Sequence, residues 1–211
     1  MIHIEDDFFK DPYSVRNIAL KSTYTPAKDG SWPGYRCWDI PENITNHILS
    51  KVRNFAGDES LELDYKQTQQ QGSPNSSFQF IPQQYRDGVY HSDYMHHYIC
   101  IIYLSLESPV NSGTEVCDFD QKKGRGRTNI AHNKKIRFNK DPFNLIKRYN
   151  YDRIRKKINS DYKPIMTIPH KFNRAVVFPA GNWHRAQNFF GTSIENGRLT
   201  SVSFFGNTEY D

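Results

Sequence analysis

Three short stretches hold residues whose types and spacing could do chemistry together. In His91-Ser92-Asp93 an imidazole and a carboxylate stand two positions apart. Extended backbone alternates its side chains between faces, so residues i and i+2 aim at one point. That supplies two thirds of a two-histidine, one-carboxylate set, which holds Fe(II) on one face and leaves its other positions open. Far downstream, Phe178-Pro179-Ala180-Gly181-Asn182-Trp183-His184 reads as a strand end, a tight turn and a histidine opening the next strand. Such a histidine can reach back to the mouth of a barrel. Arg198 then heads the alternating run Leu199-Thr200-Ser201-Val202-Ser203-Phe204-Phe205, and an arginine fork anchors a carboxylate through paired, charge-assisted hydrogen bonds. Each stretch alone has a commonplace structural use. Their order, spacing and strand context together point to a metal centre with an anion anchor.

The elements that must position these residues follow from periodicity. Asp11-Pro12 before Tyr13, Val15, Ile18 and Leu20 predicts a capped amphipathic helix. A second helix is expected from Pro41-Glu42, with Ile44, Ile48, Val52 and Phe55 on one face and Gly57 as its stop. From Leu61 onward the pattern is short apolar or alternating runs between turn-formers. Strands are expected at Phe78–Ile81, Val89–His91, Tyr98–Leu106, Thr114–Phe119, Ile165–Ile168, Ala175–Pro179, Trp183–Phe189 and Leu199–Phe205. A series of this kind predicts an antiparallel sandwich or barrel, of which the double-sheet jelly roll is one form. A further helix is expected from Asp141-Pro142 to about Ile158, with Phe143, Ile146, Tyr149 and Ile154 as its apolar positions.

The chain resembles the prolyl 4-hydroxylase-like branch of the 2-oxoglutarate/Fe(II) oxygenases, whose pattern is HxD, a distal His and then a basic anchor. Phe78-Gln79-Phe80 with Tyr85, Gly88 and Tyr90 is similar to the family's approach to HxD. Ile102-Tyr103-Leu104-Ser105 and Ser112-Gly113-Thr114-Glu115 resemble its "YLN" strand and "GGT" turn. The likeness covers about residues 75–120 and 165–206. It implies a mainly β chain with helices: a double-stranded β-helix (jelly roll) core, N-terminal supporting helices and a helical basic insertion. One oxygenase domain would span 1–211, with helical support in 1–60, core in 61–120 and 164–211, and the insertion in 121–163. It implies His91, Asp93 and His184 as metal ligands, and Arg198 and Tyr103 on the distal carboxylate of 2-oxoglutarate. The cofactors would be Fe(II) and 2-oxoglutarate, with ascorbate as reductant. The activity implied is a dioxygenase, a hydroxylase acting on a protein side chain or small molecule and releasing succinate and CO2. Tyr90 abuts His91 where the family commonly has intervening residues, and it is left outside this set. His96 and His97 face opposite ways on extended backbone, so at most one is expected near the pocket. His170 precedes a core strand, and His132, in the basic segment, is read as solvated.

Charge bears on the partner. Residues 121–163 carry 15 Lys or Arg and 3 Asp or Glu, a net of +12, which leaves −7 for the rest of a chain of net +5. This block suits an acidic substrate, and with Tyr149, Tyr151 and Tyr162 interleaved it also suits nucleic acid. Two other readings of the chain therefore stand: a nucleic-acid-binding protein using residues 121–163, and a cupin-like metal-binding module that would need the His and Asp residues but not Arg198. No stretch approaches the roughly 20 apolar residues of a membrane span. The N-terminus lacks the basic start and apolar run of a secretory signal. Cys37, Cys100 and Cys117 form no CxxC pair, which argues against a disulfide framework or a zinc site. A reducing, cytoplasmic setting without membrane contact is expected.

Overall fold

The computed structural model describes residues 1–26, 32–63, 75–119 and 143–207. The first helix, α1 (Pro12–Lys21), starts with Pro12 in its first turn, and the Asp11 carboxylate accepts a hydrogen bond from the Ser14 N–H. The second, α2 (Glu42–Ala56), buries Ile44, Ile48 and Val52, a four-residue spacing that makes one stripe. It stops at Gly57, whose φ of 65° lies in the left-handed region that glycine enters at least cost. Both helices begin where the sequence predicts, and α2 also ends there.

The strands β1 (His3–Glu5), β2 (Thr25–Pro26), β3 (Tyr35–Cys37), β4 (Leu61–Leu63), β5 (Ser76–Ile81), β6 (Tyr98–Tyr103), β7 (Thr114–Phe119), β8 (Tyr162–Ile168), β9 (Ala175–Pro179), β10 (His184–Ala186) and β11 (Arg198–Asn207) form two antiparallel sheets. The large sheet runs β1-β9-β6-β11-β5-β3-β2, with β4 also paired to β11; the small one runs β10-β7-β8. This is the expected mainly β, double-sheet jelly roll with supporting helices. The first 60 residues do more than support it, since β1, β2 and β3 extend the large sheet at both edges.

Strand β11 shows how one alternation serves two layers. Leu199 and Phe205 face outward and join Phe78, Ile102 and Val177 against α1 and α2. Val202 and Phe204 face inward and pack with Ile99, Ile101, Val176 and Phe178 between the sheets. Arg198 and Thr200 share that inner face and line a cavity.

Some sequence expectations are revised. Val89–His91 makes only a single bridge, His91 to His184, and β10 is three residues long. Its extension toward Phe189 fails because the backbone turns at Asn188, where φ is 35°. The third helix, α3 (Leu145–Asn159), is capped by the Asn144 side chain, which accepts from the Lys147 N–H; Asp141-Pro142 lies outside the described residues. Phe143, Ile146, Tyr149 and Ile154, read as its apolar positions, are exposed. Tyr151, Asp152 and Arg155 are buried instead, because α3 docks through ion pairs: Arg155 to Asp87 at 2.9 Å, and Asp152 to Arg86 at 2.9 Å. The three cysteines are buried, and none forms a disulfide among the described residues. No described helix is long and apolar enough to cross a membrane.

Candidate metal centre

The segment between β5 and β6 is fixed to the sheets by its backbone. Gly88 N–H donates to Ala186 O at 3.0 Å, Asp93 N–H to Ala180 O at 2.9 Å and His97 N–H to Phe205 O at 2.7 Å. A Cβ at Gly88 would lie 2.6 Å from Ala186 O, so only glycine allows this approach. His91 and His184 exchange both backbone hydrogen bonds, at 3.0 and 2.9 Å, which sets one imidazole against the other with ring centroids 4.4 Å apart.

Each ring is then oriented by its own neighbourhood. His91 Nδ1 bonds to Val89 O at 2.8 Å and His184 Nδ1 to Asn182 O at 2.9 Å. A carbonyl can only accept, so both Nδ1 atoms carry the proton and both Nε2 lone pairs are available, as metal-ligating histidines need. Those Nε2 atoms lie 3.6 Å and 3.4 Å from Asp93 Oδ2. One donor atom from each of His91, Asp93 and His184 falls within 4.8 Å of the other two. Burial, reinforced by the neighbouring His91, pushes His184 down to about 4 against the opposite pull of Asp93, so it is neutral at physiological pH. Two imidazoles and a carboxylate around one point, with His184 buried and His91 exposed to the cavity, fit a divalent cation with open positions.

Arg198 stands on the same cavity, 2 % exposed. It donates to Ser112 O, and its guanidinium lies over the Tyr103 ring at 5.4 Å. Among the described residues no carboxylate makes an ion pair with it. Tyr103 supports it from behind, with its hydroxyl 2.7 Å from Thr114 Oγ1 and its ring tilted against His170 at 4.5 Å between centroids. A buried guanidinium without an anion is costly unless a ligand supplies one.

Tyr90, left outside the set above, and several residues not singled out in the sequence stand at the site. Tyr90 lines the cavity and its hydroxyl donates to Glu115. Glu115 also accepts from Arg185 Nε and Gln187 Nε2, both at 2.6 Å. Burial opposes charge on Glu115, but these partners outweigh it and hold its carboxyl below the usual range. Arg185 bonds Asp87 as well, at 2.7 Å, joining the small sheet to α3 through Arg155. Asn159 ends α3 by accepting from Tyr90 N–H at 3.1 Å and donating to Gly88 O at 3.0 Å, so the helix steadies the segment carrying the triad. Arg36 on β3 and Trp38 just beyond it also line the cavity. His96 lines the cavity against Phe204, and His97 does not.

The model of DUF6445, a family of unknown function, matches residues 1–205. No curated protein matches the chain. Among solved structures it is similar to HygX from Streptomyces hygroscopicus with nickel, 2-oxoglutarate and hygromycin B bound, at a TM-score of 0.56 and 12% identity over 99% of this chain and 84% of that one. It is also similar to SnoK, a non-heme alpha-ketoglutarate-dependent carbocyclase from nogalamycin biosynthesis (TM-score 0.54, 13% identity, 98% and 79% covered). A 2OG-Fe(II) oxygenase family oxidoreductase from Burkholderia pseudomallei gives a TM-score of 0.50 at 10% identity, with 97% and 84% covered. The fold is therefore the jelly roll of the 2-oxoglutarate/Fe(II) oxygenases.

Proposed function

The chain belongs to the DUF6445 family, and we propose that it is an Fe(II)- and 2-oxoglutarate-dependent dioxygenase, with His91, Asp93 and His184 holding the metal. The observation that carries this reading is the pairing of that triad with Arg198 on one cavity of about 430 Å³, a volume typical of small-molecule sites. Arg198 takes the distal carboxylate of 2-oxoglutarate, and Tyr103 fixes the guanidinium from beneath. A cupin-like module without the cosubstrate would have no use for a buried arginine lacking its anion. Bound iron and cosubstrate together supply O2 activation, with conversion of 2-oxoglutarate to succinate and CO2 and insertion of one oxygen atom into a substrate C–H bond. The protein's part is orientation and exclusion: the Nδ1 bonds aim both imidazoles, and Ile99, Ile101 and Val202 keep the inner wall apolar. Ascorbate is the reductant that keeps the metal ferrous. A protein side chain or small molecule is hydroxylated, and the net charge of +12 on residues 121–163 favours an acidic partner.

The test is succinate formation from 2-oxoglutarate with Fe(II), ascorbate and O2, which uncoupled turnover gives even without the true substrate. Turnover in the wild type, lost in Asp93→Ala, supports the reading; none in the wild type under metal-saturating conditions refutes it.

A further inference from the structure

The cavity holds a second arginine that the oxygenase reading leaves unused. Arg36 lies on β3, whose neighbour β5 separates it from β11. Its register partner is Gln79, whereas Arg198 pairs with Ile81. Two strand spacings and two residues of offset put the two arginine Cα atoms roughly 12 Å apart, so each can serve a different anion. Arg198 is sealed beneath the site; Arg36 is half-buried and looks into the cavity from its far side.

Arg36 is built in, not loosely placed. Its guanidinium sits over the Trp32 and Trp38 rings at 5.0 and 5.4 Å. The two indoles meet edge to face, 5.7 Å apart at 80°, and this fixes the fork before any ligand arrives. Arg36 Nε and Trp32 Nε1 are both shut off from solvent, and neither has a hydrogen-bond partner among the described residues. The nearby Gln79 amide is turned away, donating to Pro33 O at 3.1 Å. Burial draws Arg36 down to about 10, with the charge of Asp93 opposing the shift, so it stays cationic at neutral pH. A guanidinium and an indole N–H can only donate. Donors left unpaired in a sheltered site call for an acceptor-rich, negatively charged group.

We propose that Arg36, Trp32 and Trp38 form the substrate anchor, and that the substrate is an organic anion. It presents carboxylate or phosphate oxygens to Arg36 and the Trp32 N–H while its remainder reaches toward His91 and Asp93. Naming the ligand a substrate rests on the oxygenase reading; the anion site itself rests on this geometry alone.

The experiment follows tryptophan fluorescence of the full-length protein, with and without Mn(II) and 2-oxoglutarate. The probes are phenylacetate, phenyl phosphate and the neutral phenylacetamide. At least one anion should give a saturable change, and phenylacetamide should bind about tenfold or more weakly. A response to phenylacetate marks a carboxylate substrate, and one to phenyl phosphate marks a phosphorylated one. Arg36→Gln should weaken the anion about tenfold or more while changing 2-oxoglutarate affinity less than about threefold. Arg36→Lys keeps the charge and should retain part of the binding, so a folding failure of the Gln variant does not end the test. Equal binding of the amide, or indifference to both Arg36 variants, overturns the anion site. Loss of 2-oxoglutarate in Arg36→Gln but not in Arg198→Gln overturns the division of roles between the arginines. Anion binding that needs Arg36 in a protein that never binds 2-oxoglutarate would refute the oxygenase reading and leave the anion site standing.

Discussion

The large and small sheets are packed in different ways, and the contrast explains where the site keeps its fixed and its adjustable parts. In the large sheet β6 and β9 are buried along almost their whole length, with α1 and α2 on one face and the inter-sheet core on the other. In the small sheet the middle of β8, Lys163 to Thr167, is exposed. There, order comes from ion pairs, with Arg185 bridging Glu115 and Asp87, and Arg155 carrying the chain of charges into α3. Both arginines with a proposed anion partner stand on the large sheet, where packing fixes the backbone beneath them. His184 stands on the small sheet's edge strand, and backbone bonds to His91 tie it to the segment that links β5 to β6.

Truncating the large sheet should therefore cost most. Phe205→Ala, at a fully buried position, is expected to lose about 3–5 kcal/mol in urea denaturation. A loss near 1 kcal/mol would mean the sheet is not held by packing. In the small sheet the sensitive group is the ion network. Arg185→Met takes one cationic partner from each of Glu115 and Asp87 and should cost about 1–3 kcal/mol, their remaining donors lowering the figure below that of a buried pair broken outright. A more stable variant would show the network is replaceable by apolar packing.

His170 sharpens the contrast by pH. Burial first, and then the charge of Arg198, push it down to about 3, against an ordinary value of 6.5. Below pH 6.5 the unfolded chain binds a proton that the folded chain refuses, so stability is fully present above 6.5 and falls as pH drops toward 3. Between pH 7 and pH 5 this group should remove about 1–2 kcal/mol. His170→Gln should flatten that slope, and an unchanged slope would place the proton elsewhere. The smallest effect is expected at Met166, 43 % exposed on β8, where Ala should cost less than about 0.5 kcal/mol. A cost matching Phe205→Ala would erase the distinction between the sheets.

Much of this was legible in the residues themselves. Period-four apolar spacing and the Pro and Gly boundaries located α1 and α2, and alternation located most strands. His91, Asp93 and His184 do converge, because the HxD spacing and the turn before His184 are local geometry. What escaped depends on pairings distant in the chain. The Glu115–Arg185 bond needs β7 and β10 in their actual register. Arg36 sits on a three-residue strand next to a Pro- and Gly-rich loop, too short for alternation to stand out. In α3 salt bridges hold the buried face, and the apolar positions Ile146, Tyr149 and Ile154 are left outside.

The central claim is that one cavity joins Fe(II) through the triad to 2-oxoglutarate through Arg198. Its most direct test is the visible charge-transfer absorption that a keto acid gives when it chelates Fe(II), recorded without oxygen. The wild type should develop it on addition of both components. Asp93→Ala and His184→Ala should lose it, and Arg198→Gln should need about tenfold or more 2-oxoglutarate to reach it. Absence of the band in the metal-saturated wild type, or its survival in the Asp93 and His184 variants, would contradict the account.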